Sequence, residues 1–108
     1  MADQMISERI GLPMDAIRTY CEKWGIRELA LFGSVLRDDF DKTSDVDVLV
    51  TFADGIRHSL IDMVKMADEL ETVLGRKVDL LTRKSVESSP NYIRRAAILE
   101  SAQVIYAA

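Results

Sequence analysis

GSVLRDDFDKTSDVDVLVTF, residues 33–52, opens on Gly-Ser and ends in an apolar run entered through two aspartates one residue apart. Residues 46–52, VDVLVTF, are rich in β-branched side chains and read as a strand. Side chains alternate faces along a strand, so Asp45 and Asp47 point one way, about 6 to 7 Å apart at the backbone. Val46, Val48 and Val50 point the other way, into a core. Two neighbouring carboxylates resist ionising together unless positive charge sits between them, and a hard divalent cation such as Mg²⁺ is the usual answer. The same two residues also read as a loop cap followed by a solvent-facing strand position.

Working outward, ELALF (28–32) is a short buried strand ending at Gly33. Residues 13–24, PMDAIRTYCEKW, read as a helix with Ile17, Tyr20, Cys21 and Trp24 on one face and Gly25 as its stop. After the Asp54-Gly55 turn, residues 59–74 form the clearest helix, capped by Ser59. Its apolar stripe runs Leu60, Met63, Val64, Ala67, Leu70, Leu74. KVDLLT (77–82) is a third strand, a last helix spans roughly 91–101 after Pro90, and AQVIYA supplies a fourth strand. The fold class expected is α/β (α+β), a small mixed four-stranded sheet with helices packed on it. The dozen residues between the first two strands suit an antiparallel or irregular connection better than a parallel crossover.

Asp79 is a carboxylate inside an otherwise apolar strand. If that strand lies beside 46–52, Asp79 joins Asp45 and Asp47 on one face, enough to hold one or two Mg²⁺ ions and leave an oxygen as a base. An edge-strand aspartate facing water is the competing reading. Gly33-Ser34, directly after a strand, lets backbone N–H groups and a hydroxyl approach phosphate oxygens. Gly-Ser followed ten residues later by Asp-x-Asp arises by chance in roughly one chain of this length in a thousand.

The chain has 108 residues, enough for one domain over residues 1–108. Its net charge is −4, which argues against indiscriminate nucleic-acid binding; the basic pairs Arg76-Lys77, Arg83-Lys84 and Arg94-Arg95 read as solvated surface. No apolar run is long enough to span a bilayer, and the N-terminus lacks the layout of a secretory signal. Cys21 is the only cysteine, so no internal disulfide forms and no zinc site rests on thiolates. A cytoplasmic protein is expected.

GSVLRDDFDKTSDVD resembles the GSx10DxD signature of the polymerase-β-like nucleotidyltransferase superfamily. With the short length and the later LGRKVDLLT and AQVIYA, it is similar to the minimal nucleotidyltransferase (MNT) group, from about residue 13 to the end. That resemblance implies the nucleotidyltransferase fold and an antitoxin that pairs with a HEPN-domain RNase toxin. The activity implied is protein adenylyltransfer, moving AMP from ATP onto a tyrosine of that partner with release of pyrophosphate. It assigns Gly33 and Ser34 to the triphosphate, Asp45 and Asp47 to Mg²⁺, and Asp79 to the third acidic position, where it assists deprotonation of the acceptor. Arg37 falls where the group has a phosphate-contacting basic residue, although a surface arginine is the alternative. Val35 and Asp38 depart from the group pattern, and Asp38, Asp39 and Asp41 add negative charge that counts against ATP affinity.

Two other functions fit the same residues: a non-catalytic antitoxin that blocks its toxin by occlusion, and nucleotide transfer to a small molecule. The first leaves the Gly-Ser and three aspartates unexplained, and the second lacks an acceptor-binding domain. The exposed part of the long helix and the C-terminal segment are the expected partner-docking surface. His58 reads as a surface or capping residue, and Cys21, Trp24, Met63 and Met66 as packing residues.

Overall fold

The computed structural model describes residues 12–33 and 45–108. Element order is α1 (Met14–Trp24), β1 (Ile26–Phe32), β2 (Val46–Phe52), α2 (Leu60–Leu74), β3 (Val78–Thr82), α3 (Arg83–Glu87), α4 (Tyr92–Ser101) and β4 (Gln103–Ala107). The four strands form one mixed sheet in the order β3-β2-β1-β4. β1 pairs antiparallel with both β2 and β4, whereas β2 and β3 run parallel. The fold class read from the sequence is therefore the one observed, including the antiparallel first connection.

Local chemistry explains the helix boundaries. Gly25 takes a left-handed conformation, φ 70°, and its N–H donates to Cys21 O, so α1 stops and the chain turns directly into β1. A capping box opens α2: Asp62 N–H donates to Ser59 Oγ at 3.1 Å and Ser59 N–H to Asp62 Oδ2 at 3.4 Å.

Alternation in β2 sends Val46, Val48 and Val50 to one face, where they pack with Leu29, Leu31 and Ile105 against α1 and α2. The Tyr20 hydroxyl donates to Met66 O at 2.9 Å across the two helices, and burial pushes its phenol well above the ordinary range. The opposite face carries a smaller core of Ala30, Phe32 and Leu49 under Val86 of α3 and Ile98 of α4.

Three details differ from the sequence reading. β1 begins at Ile26 rather than residue 28. α3 was not expected: it is five residues long with one buried side chain, Val86, and is capped by Thr82 Oγ1, which accepts from Ser85 N–H. The buried face of α2 keeps Met63, Leu70 and Leu74 of the expected stripe but turns toward Met66 and away from Leu60 and Val64. Met66 and Leu70 are its buried residues, whereas Leu60, Ile61 and Val64 are 85%, 68% and 62% exposed. The helix is apolar on more than one side, so period alone could not choose the face; Tyr20 and the β2 valines choose it. Met66→Ala should therefore cost about 2–5 kcal/mol and Val64→Ala no more than about 0.5 kcal/mol, measured by urea unfolding.

Cys21 is fully buried, and desolvation, with a smaller contribution from the negative charge of Glu22, pushes its thiol up to about 12. Thiolate is the reactive form, so Cys21 in the folded protein should resist a thiol-specific disulfide reagent at pH 8 and react only at the unfolding rate. Time-resolved absorbance of the released thiol reports this.

Candidate active site

The parallel register of β2 and β3 pairs Asp47 directly with Asp79. Their side chains share a face, with Cα atoms about 4.8 Å apart, the ordinary interstrand spacing. That face is the one bearing the smaller core, and beyond Leu49 and Leu81 it changes from apolar to acidic. Asp45 lies one residue before β2, on the same face by alternation. Asp47 is half-buried, while Asp45 and Asp79 are exposed. Asp79 sits on an edge strand, as the competing sequence reading had it, yet the neighbouring strand is the one that carries Asp47.

Two hydrogen bonds anchor the start of β3, one from the backbone of β2 and one to a side chain of α2. Val46 N–H donates to Lys77 O at 2.9 Å, and Val78 N–H donates to the Glu71 carboxylate at 3.1 Å. Glu71 thus fixes the start of the strand that carries Asp79. Sequence reasoning missed it, since a glutamate on an exposed turn of a helix gives no sign of what its carboxylate reaches.

Gly33 closes the site from the other side. Antiparallel pairing sets Phe32 opposite Asp47, and the next residue, Gly33, adopts φ 76°. A Cβ placed on Gly33 would overlap Asp47 Oδ2. The glycine therefore serves two needs at once, a left-handed backbone and a seat for a carboxylate, which only a residue without a side chain meets.

The structure thus brings Gly33, Asp47 and Asp79 together at one end of the sheet, with Asp45 at its mouth. Ser34 and Arg37, and the acidic Asp38, Asp39 and Asp41, lie outside the described residues. Among the described residues no group of three His, Cys, Asp or Glu side chains is gathered closely enough to hold a metal ion. What is present is an in-register carboxylate pair with a third carboxylate beside it. This all-oxygen donor set suits Mg²⁺ rather than a soft metal, and a cation there would offset the repulsion between Asp47 and Asp79.

A family model for the nucleotidyltransferase domain matches residues 14–104. The chain belongs to the nucleotidyltransferase family. A Methanocaldococcus jannaschii relative, provisionally named a protein adenylyltransferase, is 45% identical over 64 residues, covering 59% of this chain and 67% of its own. The protein adenylyltransferase MntA of Thermococcus cleftensis is 39% identical over 67 residues, covering 62% of this chain and 66% of its own. Among solved structures, one described provisionally as a minimal nucleotidyltransferase superposes with a TM-score of 0.64 at 28% identity over 95% of each chain. A toxin–antitoxin complex with AMP-PNP gives a TM-score of 0.68 at 20% identity, over 90% of this chain and 75% of the other. An MNT antitoxin complex with a tri-AMPylated Shewanella oneidensis HEPN toxin gives 0.58 at 20% identity, over 98% and 73%. These last two establish a shared fold.

The single histidine of this nucleotidyltransferase is structural. His58 Nε2–H donates to Trp24 O at 2.7 Å, and its ring packs on Phe52 at a centroid distance of 4.8 Å. It ties the end of α1 to the start of α2 at the opposite end of β2 from Asp47. Among the described residues, no helix is long and apolar enough to cross a membrane.

Proposed function

We propose that this nucleotidyltransferase is a protein adenylyltransferase and the antitoxin of a HEPN/MNT pair, transferring AMP from ATP to a tyrosine hydroxyl of a HEPN RNase toxin. The observation that carries the reading is the Gly33–Asp47–Asp79 arrangement at one end of the sheet. The adenylyltransferase names of the relatives support the reaction class, and the HEPN complexes of the same fold support the partner class.

In this reading the tyrosine oxygen attacks the α-phosphorus of ATP. A new O–P bond forms, the bond from the α-phosphorus to the bridging oxygen of the β-phosphate breaks, and pyrophosphate leaves. The phenolic proton passes to Asp79, whose exposed position on an edge strand leaves it within reach of a side chain on another protein. A tyrosine with a free pKa near 10 needs such a base at neutral pH. Asp45 and Asp47 would hold Mg²⁺, which when bound supplies charge neutralisation to the triphosphate. Gly33 keeps Asp47 in place, and Ser34 and Arg37, which follow it in the chain, would bind phosphate oxygens.

The test uses ATP labelled at either end of the triphosphate, with a HEPN RNase toxin as acceptor. Label from the α-phosphate should appear on the partner and label from the γ-phosphate should leave in pyrophosphate. Transfer of γ-label, or of neither, would contradict the reaction.

Leu60, Ile61 and Val64 supply the apolar docking face for the partner, being large side chains left open on one side of α2. Ile61→Asp with Val64→Asp should weaken the complex by about tenfold or more, read by calorimetry, and leave the thermal midpoint of the isolated chain unchanged.

A further inference from the structure

A cleft of about 430 Å³ opens at the far end of the sheet, where β2 and β3 finish and the chain turns into α2 and α3. Phe52 and Ile56 line it on the apolar side, and Arg57 and Lys84 line it with positive charge. A second hollow of about 300 Å³ adjoins it and shares all four of these residues. The first volume lies in the range of small-molecule sites, roughly 300–1,000 Å³. Asp47 and Phe52 stand five residues apart on β2, so about 16 Å separates this cleft from the carboxylates.

The cleft carries a local excess of positive charge. The chain carries −4 overall, yet three cations, Arg57, Arg83 and Lys84, converge here against Asp54 and Glu87. Arg83 Nε–H already donates to Glu87 Oε2 at 3.2 Å. The side chains of Arg57 and Lys84 make no hydrogen bond or ion pair among the described residues, one coming from the turn before α2 and the other from α3. Two unengaged cations facing an apolar wall form a complement to an anion attached to a flat apolar group. Asp54, on the rim, can accept from hydroxyl or amino groups of the same ligand.

We propose that the cleft between the β2–α2 turn and the β3–α3 corner is a second, non-catalytic binding site for a small phosphorylated ligand of the nucleoside monophosphate class. Arg57 and Lys84 engage the phosphate, and Phe52 and Ile56 enclose the base. This site is independent of the AMP-transfer reading, because none of its residues belongs to the Gly33–Asp47–Asp79 end.

The probe is AMP, titrated calorimetrically in EDTA into the full chain carrying Asp45→Asn and Asp47→Asn, which removes the catalytic end from the measurement. AMP should bind, with adenosine and inorganic phosphate each at least about tenfold weaker. Adding Arg57→Ala and Lys84→Ala should weaken AMP by about tenfold or more with circular dichroism and thermal midpoint unchanged, both side chains being exposed. In the otherwise native chain the same pair of substitutions should leave AMP transfer to the partner at the native rate. Absence of AMP binding, or affinity indifferent to Arg57 and Lys84, overturns the proposal. Inorganic phosphate binding as tightly as AMP overturns the role of the apolar wall. Loss of AMP transfer in the Arg57→Ala/Lys84→Ala protein overturns the separation of the two sites.

Discussion

Asp47→Asn should lower AMP transfer by on the order of a thousand-fold while leaving the fold in place. Asparagine has nearly the same shape as aspartate, so the packing around Gly33 and Phe32 is kept and only the charge is lost. Asp47 is paired in register with Asp79, and removing one of two adjacent like charges relieves repulsion. Stability should therefore change by no more than about 1 kcal/mol in urea unfolding. The loss belongs in kcat, because Asp47 would hold the Mg²⁺ that, when bound, offsets the negative charge on the departing pyrophosphate. A fall in activity that tracks a fall in stability would mean that Asp47 is a structural residue instead.

Gly33→Ala should damage both properties, and for separable reasons. An alanine at φ 76° is strained by about 1–2 kcal/mol. Its methyl group would also occupy the position of Asp47 Oδ2, forcing that carboxylate aside. A displacement near 1 Å in a catalytic group costs about a hundred-fold in rate. Gly75→Ala is the control: Gly75 has φ 68° with open space around its Cβ position, so it should lose similar stability and keep full activity. Comparable activity in the two variants would remove Gly33 from the site.

Much of this arrangement was legible in the sequence, for identifiable reasons. Punctuating residues fixed α1 between Pro13 and Gly25, and the run of β-branched residues fixed β2 at 46–52. The side-by-side placement of Asp45, Asp47 and Asp79 followed from alternation once β3 lay next to β2, a condition that no local signal could supply. α3 escaped because RKSVE buries only Val86 and has too few turns to show a period. The α2 stripe was right at Met63, Leu70 and Leu74, which pack on the core, and wrong at Leu60 and Val64, which are as apolar as the residues the helix buries. The contact of Gly33 with Asp47 was invisible for a different reason. Fourteen residues separate the two, and only the antiparallel register of β1 on β2 brings them together.

The most direct test of the central claim compares the native chain with its Asp45→Ala/Asp47→Ala variant against the HEPN partner. Peptide mass spectrometry and RNase activity are measured on the same samples. The native chain with ATP and Mg²⁺ should place AMP on a partner tyrosine and silence the RNase, while the variant binds the partner, leaves it unmodified and leaves the RNase active. Full silencing by the variant, with no AMP on the partner, would contradict the account and make this protein an antitoxin that works by occlusion.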